Sequence, residues 1–325
     1  MSSVGREQAW TEARIPDQSG RTAVVTGANG GLGFEVARAL AERGATVVLA
    51  CRNPVKSADA MRRIRCTAPN AELHTVELDL MSQASVRTAA ALVRAEHKRI
   101  DLLVNNAGTA FPDRTDTTDG FEATFATNHL GPFAFTGLLL DRIAPVPGAR
   151  IVSVSSLAHK TATLALDDLD FTRRKYRHLA VYGQSKLANI MFTYELQRRL
   201  AEAGAEAIAV AAHPGAAKTA FGDHIRLPAF MAKGPYDWMM QRWVQSAAEG
   251  ALASLRAATD PEVSGGEFYG PTGLLGMKGK PGITSSSSRS YDVETQRRLW
   301  GESARLTGID FTLENFTQDR EPHLN

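Results

Sequence analysis

The chain has 325 residues, 43% of them hydrophobic and 22% charged, enough to bury the core of one large globular domain. Its 37 basic and 35 acidic residues are interspersed and nearly cancel, which excludes the basic face that nucleic-acid binding needs and leaves small molecules as the expected partners. The two cysteines, Cys51 and Cys66, have neither disulfide-framework nor metal-ligand spacing, so no metal is expected and a reducing, cytoplasmic setting fits.

Residues 1–20 hold no apolar run of the kind a secretory signal needs, and with Pro16 and many polar side chains they are expected to be a tether. From Arg21 the chain alternates short β-branched runs with helical patterns. "TAVVT" (22–26) precedes a helix over 32–43, "TVVLA" from Thr46 one over 56–67, and "LHTVEL" from Leu73 one over 83–97. "DLLVNN" from Asp101, a helical region over 118–143, "RIVSVSS" from Arg150, a helix over 182–202 and "AIAVAAH" from Ala207 continue the alternation. Continuous Val, Ile and Leu strands separated by helices predict an α/β fold. This is a single doubly wound, Rossmann-like parallel sheet with helices on both faces, spanning 21–275. "LGPFAFTGLLL" from Leu130 is too short to cross a bilayer, so no integral membrane segment is expected. "KGKPGITSSSSRS" from Lys278 lacks periodicity and predicts a mobile loop within 276–325, followed by a C-terminal helical extension at "DVETQRRLWGESARL".

The stretch "TGANGGLG" (26–33) follows the first strand and opens a helix. A G-x-G-x-x-G fingerprint fails, because Asn29 stands where its second glycine belongs and Val36 where a register starting at Gly31 needs its third. Gly27, Gly30 and Gly33 fit G-x-x-G-x-x-G, while Gly27, Gly31 and Gly33 fit G-x-x-x-G-x-G. In either register, residues Gly27, Asn29, Gly30, Gly31, Leu32 and Gly33 let backbone N–H groups and a helix N-terminus approach a pyrophosphate.

"NNAG" from Asn105, "YGQSK" from Tyr182 and "HPG" from His213 follow in that order, and with them the chain resembles the short-chain dehydrogenase/reductase family over about residues 20–270. In that family G-x-x-G-x-x-G resembles the extended sugar-nucleotide branch and G-x-x-x-G-x-G the alcohol/carbonyl oxidoreductase branch. "NNAG" favours the second, making Gly31 the family glycine and Gly30 an extra one. "ACRN", "RIVSVSSLAH" and "YGQSKLANIMFTYEL" are closer still to the subgroup of retinol dehydrogenases, WW-domain oxidoreductases and protochlorophyllide reductases.

Tyr182 and Lys186 share one helical face at i and i+4. At about 4 Å and an effective dielectric near 20, their attraction is on the order of 4 kcal/mol, which predicts a phenol pKa lowered by up to about three units. The resemblance makes this pair catalytic. It adds Ser156, the second serine of "SVSSLAH", to hold the substrate oxygen, and Asn128 of "ATNHLGP" to kink its helix and relay a proton from Lys186. His159 replaces the glycine of the family's serine pattern and is expected to be a partly exposed loop residue. Arg52, following the second strand with no acid beside it, favours the 2′-phosphate of NADP(H) over NAD, with Lys56 able to share that role.

Asp79 and Leu80 match the adenine flank, although Asp79 suits equally a cap on the following helix. Asn106, Ala107 and Gly108 match the adenosine side, and Pro214, Gly215 and Thr219 the nicotinamide loop; His213 more simply caps its strand. Ser156 and Tyr182 lie 26 positions apart, about twice the family's usual interval, so "LALDDLDFTRRKYRHLA" is an insert expected to wall the substrate entrance. Tyr176 within it has Ala180, not lysine, four residues on. The substrate loop over about 216–245 is rich in large apolar side chains from Phe221 to Trp243, which suits a pocket lid, helix packing, or a subunit or membrane contact.

Together these features predict NADPH-linked hydride transfer with a hydrophobic alcohol or carbonyl. The family also forms homo-oligomers through the Tyr182 helix and its neighbour, a face the C-terminal tail here could block. Two other functions remain open: an extended NAD-dependent nucleotide-sugar epimerase or dehydratase, and an inactive NADP-binding interaction protein.

Overall fold

The computed structural model describes residues 10–217, 244–311 and 313. Strands β1 (Thr22–Thr26), β2 (Thr46–Cys51), β4 (Leu102–Asn105), β5 (Arg150–Val154) and β6 (Ile208–Ala212) are buried almost throughout, as strands covered on both faces must be. With β3 (Leu73–Glu77), β7 (Phe268–Pro271) and β8 (Pro281–Ile283) they form one sheet of order β3-β2-β1-β4-β5-β6-β7-β8. Every pairing is parallel except β7 with β8. The strand order reverses direction beside β1, and this switch point opens a crevice at the carboxyl ends of β1 and β4.

Helices α1 (Gly31–Glu42), α2 (Pro54–Thr67) and a later helix, Ala247–Thr259, cover one face of the sheet. The other face carries α3 (Gln83–Glu96), α5 (Gly131–Ile143), α6 (His178–Glu202) and a C-terminal helix, Val293–Thr307. We number the short Ala123–Phe125 helix α4, Ala247–Thr259 α7 and Val293–Thr307 α8. Local chemistry sets the helix ends. Asn53 caps α2 with Pro54 in its first turn, Ser82 caps α3, and Ser246 with Glu249 forms a reciprocal capping box on α7. The helix expected over 118–143 is interrupted: α4 passes into a π-helical stretch, Ala126–Leu130, before α5 begins.

Two expected boundaries do not hold. Residues 10–20 are not a tether, because Trp10 and Ile15 are 3% and 2% exposed in the core and Glu12 pairs with Arg38 of α1. The expected mobile loop from Lys278 contains β8, which extends the sheet beyond residue 275 by pairing with β7; Ser286 beyond it hydrogen-bonds Tyr194 of α6 at 2.8 Å. The C-terminal helix does form. Trp300 stacks on Phe192 of α6 at 5.7 Å between centroids, and Ser303 meets the buried His129 of the π-helical stretch at 2.8 Å. Among the described residues, no helix is long and apolar enough to cross a membrane.

Candidate active site

The crevice is organised by Thr26, the last residue of β1. Its hydroxyl accepts hydrogen bonds from the backbone N–H groups of Asn106 and Ala107, both at 3.0 Å, and its carbonyl accepts one from Asn106 Nδ2 at 2.9 Å. The Asn106–Ala107–Gly108 turn is thereby clamped beside the glycine-rich turn. Gly27 and Gly31 have φ of 68° and 55°, conformations that side-chain-bearing residues seldom adopt. A Cβ on Gly33 would collide with the Gly27 carbonyl and the Asn106 amide. Gly30 is different, since its backbone is extended and a Cβ there would meet nothing within 4 Å. The fold therefore constrains the Gly27, Gly31, Gly33 register, with Gly30 the additional glycine. No acid stands in the first turn of α1, so the positive end of that helix is uncompensated.

Arg52 is exposed at the end of β2, with Met81 Sδ at 3.7 Å and no carboxylate partner among the described residues. Neighbouring Lys56 is also exposed. Asp79 is not the cap of α3, a role taken by Ser82; its carboxylate accepts from Met81 N at 3.0 Å and orders the turn after β3. Leu80 is buried, with its backbone against Gly131.

Tyr182 and Lys186 lie in the first half of α6, and the Tyr182 hydroxyl shares a hydrogen bond with the Ser156 side chain. The two adjacent serines have separate partners. Ser155 is buried and donates to the Lys186 carbonyl at 2.8 Å, whereas Ser156 caps the 3-10 turn Leu157–Lys160 and keeps its hydroxyl beside the phenol. Lys186 Nζ donates to the Val154 carbonyl at 2.9 Å and stands 5.7 Å from the centre of the Tyr182 ring. The expected lowering of the phenol pKa is not found. Burial pushes the Tyr182 phenol up to about 12, partly countered by Ser156, and pushes the Lys186 ammonium down to about 8. Desolvation outweighs attraction because both groups are buried and the ammonium is held on a carbonyl.

Asn128 sits in the π-helical stretch, fully buried. It accepts from Thr109 N at 2.7 Å and donates to Thr109 O at 2.8 Å and Ser185 Oγ at 2.9 Å. A Cβ on Gly108 would come within 3.1 Å of Lys186 Nζ and 3.3 Å of Asn128 Oδ1, so these two side chains converge beneath that glycine.

His159 is completely buried, contrary to the expectation of a partly exposed loop residue. Its Nδ1 lies 2.6 Å from the Ser156 carbonyl, to which it can only donate, leaving Nε2 to accept from Ser287 N at 3.1 Å. Its ring meets Phe268 edge-on at 5.4 Å, and Phe268 packs on His213 at 5.1 Å. His213 Nδ1 in turn accepts from Gly215 N at 3.2 Å. The His159–Phe268–His213 stack thus joins the serine turn to the loop after β6. Phe268 carries no sequence signal beyond its place in a strand.

Gly215 has φ of 67°, and a Cβ there would strike the Met277 carbonyl; the Pro214 carbonyl accepts from Gln245 Nε2 at 2.8 Å. Thr219 and the apolar residues from Phe221 to Trp243 lie outside the described residues. The insert is ordered around Asp168, which accepts from Thr172, Arg173 and Arg174, while Arg174 also donates to Gln184 of α6. It borders a cavity of about 570 Å³ lined by Ala158, Ala162, Phe171, Arg174, Tyr176 and Gly183, among others. The Tyr176 hydroxyl is engaged elsewhere, its one proton shared between the Phe111 carbonyl at 3.0 Å and Glu122 at 3.2 Å.

Residues 21–228 match the short chain dehydrogenase family. Human (Homo sapiens) retinol dehydrogenase 13 is 40% identical over 304 residues, covering 92% of this chain and 87% of its own length. Human polyprenol dehydrogenase is 35% identical over 308 residues, covering 93% and 90%. The crystal structure of an uncharacterized protein from Mycobacterium Paratuberculosis superposes with a TM-score of 0.78 at 38% identity, covering 94% of this chain and 99% of that one. The chain is an oxidoreductase of the short chain dehydrogenase family and belongs to its retinol dehydrogenase-like subgroup.

Proposed function

We propose that the protein is an NADP(H)-dependent dehydrogenase that interconverts an apolar alcohol and its carbonyl compound, with Tyr182 as the proton donor and acceptor. The observation that carries this reading is the hydrogen-bonded Tyr182 and Ser156 hydroxyl pair, backed by buried Lys186 and Asn128 and set beside a glycine turn that side chains would obstruct. The site suits a dinucleotide. Gly27, Gly31 and Gly33 clear its pyrophosphate side, α1 directs an uncompensated N-terminus there, and Arg52 offers a guanidinium with no competing acid among the described residues. Asp79 and Leu80 would flank the adenine, Asn106 to Gly108 the adenosine, and Pro214 and Gly215 the nicotinamide. When bound, the nicotinamide gives or takes the hydride.

In the reducing direction Tyr182 starts protonated, as its raised pKa ensures at neutral pH, and delivers its proton to the substrate oxygen. Ser156 donates to the same oxygen and stabilises its developing charge. Lys186 would hold the cofactor ribose, and Lys186 and Asn128, converging under Gly108, would lead the replacement proton back to the phenol. An apolar substrate is supported by the relatives, named for retinol and polyprenol, both apolar alcohols. The free thiols Cys51 and Cys66 suit a reducing cytoplasm.

Fluorescence titration with NADPH and NADH, followed by oxidation assays on retinoid, steroid and aliphatic alcohols, tests the proposal. NADPH is expected to bind at least about tenfold tighter than NADH, with Arg52→Ala erasing most of the difference, because a charge-assisted contact is worth roughly 1.5–3 kcal/mol. Tighter NADH binding in the wild type would overturn the assignment. His159 acts as a positioning residue, since its Nδ1–H fixes the Ser156 turn. His159→Ala is therefore expected to lower kcat by about 10- to 100-fold through displacement of Ser156, with KM for NADPH little changed; steady-state kinetics separate the two.

A further inference from the structure

We propose that His74, Glu96 and His97 form a binding site for a zinc-class divalent ion at the edge of the sheet, at the end of the strands opposite Tyr182. His74 belongs to the edge strand β3, near its N-terminal end, Glu96 is the last residue of α3, and His97 is its C-cap. The fold alone brings them together, because they are 22 positions apart in no recognisable ligand motif. One ligand atom from each lies within 4.8 Å of the others, and no other trio of His, Cys, Asp or Glu side chains converges in this way among the described residues.

The arrangement is built as a metal site is built. His74 Nε2 lies 3.3 Å from the Glu72 carboxylate, an acceptor, so Nε2 carries the proton and Nδ1 presents its lone pair. Glu72 is itself held by the Thr46 hydroxyl of the neighbouring strand at 2.9 Å. That carboxylate–imidazole relay is the usual outer support of a metal-bound histidine. His74 Nδ1 is 3.9 Å from Glu96 Oε2, and His97 Nε2 is 3.9 Å from the same oxygen. The His97 side chain is only 10% exposed, yet its Nε2 has no hydrogen-bond partner. The two rings meet edge-on, at 86°, so they do not stack face to face.

A carboxylate oxygen with an imidazole nitrogen 3.9 Å away on either side, one of them buried and unpartnered, offers a cation three ligands. Two nitrogens and an oxygen suit zinc, with water as a fourth ligand, far better than calcium or magnesium, which prefer oxygen. Ligand bonds of about 2.0–2.1 Å require donors roughly 3.3 Å apart, so each imidazole nitrogen has to close on the Glu96 oxygen by about half an ångström, and the two nitrogens, which lie within 4.8 Å of each other, have to draw together as well. Glu96, 61% exposed at a helix end, is free to move. Bound there, the ion staples the edge strand β3 to the end of α3 and takes no part in hydride transfer.

The test uses the full chain, freed of any affinity tag and stripped with a chelator. Calorimetric titration with zinc chloride is expected to show one ion per chain at micromolar or tighter affinity and a concentration-dependent rise in Tm. Cobalt(II) is expected to give the intense visible bands of a tetrahedral site. Glu96→Gln, an exposed change that leaves the fold intact, and His97→Ala should each weaken zinc binding at least about tenfold, with NADPH affinity unchanged. Absence of zinc binding to the wild type, or equal affinity in the His74→Ala, His97→Ala double variant, overturns the site.

Discussion

Tyr182→Phe is expected to reduce turnover by about 10²- to 10⁴-fold, the usual range for removing a positioned acid or base, while NADPH affinity stays within about twofold. Only the hydroxyl is lost. The buried ring keeps its packing in α6, and Lys186 keeps its place because its anchor is the Val154 carbonyl rather than the phenol. Single-turnover rates together with cofactor titration would read both quantities. Near-normal turnover would remove the tyrosine from the chemistry, whereas a collapse of NADPH binding would show that the substitution disturbed the site as a whole.

The same residue sets an expected pH dependence. With the phenol pushed up to about 12, reduction uses the form that predominates at neutral pH, so its kcat/KM should be level across roughly pH 6–8. Oxidation uses the phenolate, whose fraction grows tenfold per unit, so its kcat/KM should climb with a slope near one. A plateau in oxidation at lower pH would show that attraction to Lys186 prevails over burial during turnover.

Gly33→Ala is expected to abolish measurable NADPH binding and to destabilise the free protein by on the order of 1–3 kcal/mol, the range for overpacking a filled site. The added carbon has nowhere to go. It meets the Gly27 carbonyl and the Asn106 amide, and both are fixed through Thr26, whose hydroxyl and carbonyl tie β1 to the turn after β4. Gly30→Ala is the matched control: its backbone is extended and an added Cβ would meet nothing within 4 Å among the described residues, so the Tm of the free protein should not move. Thermal melts of the two variants, read with cofactor titrations, separate the two glycine registers. A Gly30→Ala chain that melts early beside a stable Gly33→Ala chain would reverse the assignment.

The parallel strands are legible from sequence because burial on both faces selects unbroken Val, Ile and Leu, and Tyr182, Lys186 and Ser156 are legible because the family resemblance fixes them. What escapes depends on distant partners. Trp10 and Ile15 are two apolar residues in a polar segment, and only the slots they fill show that the segment is packed. β8 is hidden by glycine, proline and serine, and exists because β7 offers it an edge. His159 is buried by Phe268 and Ser287, which come together only after β7 has joined the sheet. The sign of the Tyr182 shift follows the same logic: spacing reveals the neighbouring ammonium but not the depth at which both groups are buried.

Helix α8 packs on α6 through Trp300 and on the buried His129 through Ser303. The chain thus covers part of the α6 face with a helix from its own C-terminal region. A segment tethered by its own backbone competes at a local concentration that a free partner reaches only at very high protein levels. The helix carrying Tyr182 is consequently braced within each molecule, and specific activity should be indifferent to dilution, as it would not be for an enzyme whose catalytic helix is buttressed by a neighbour.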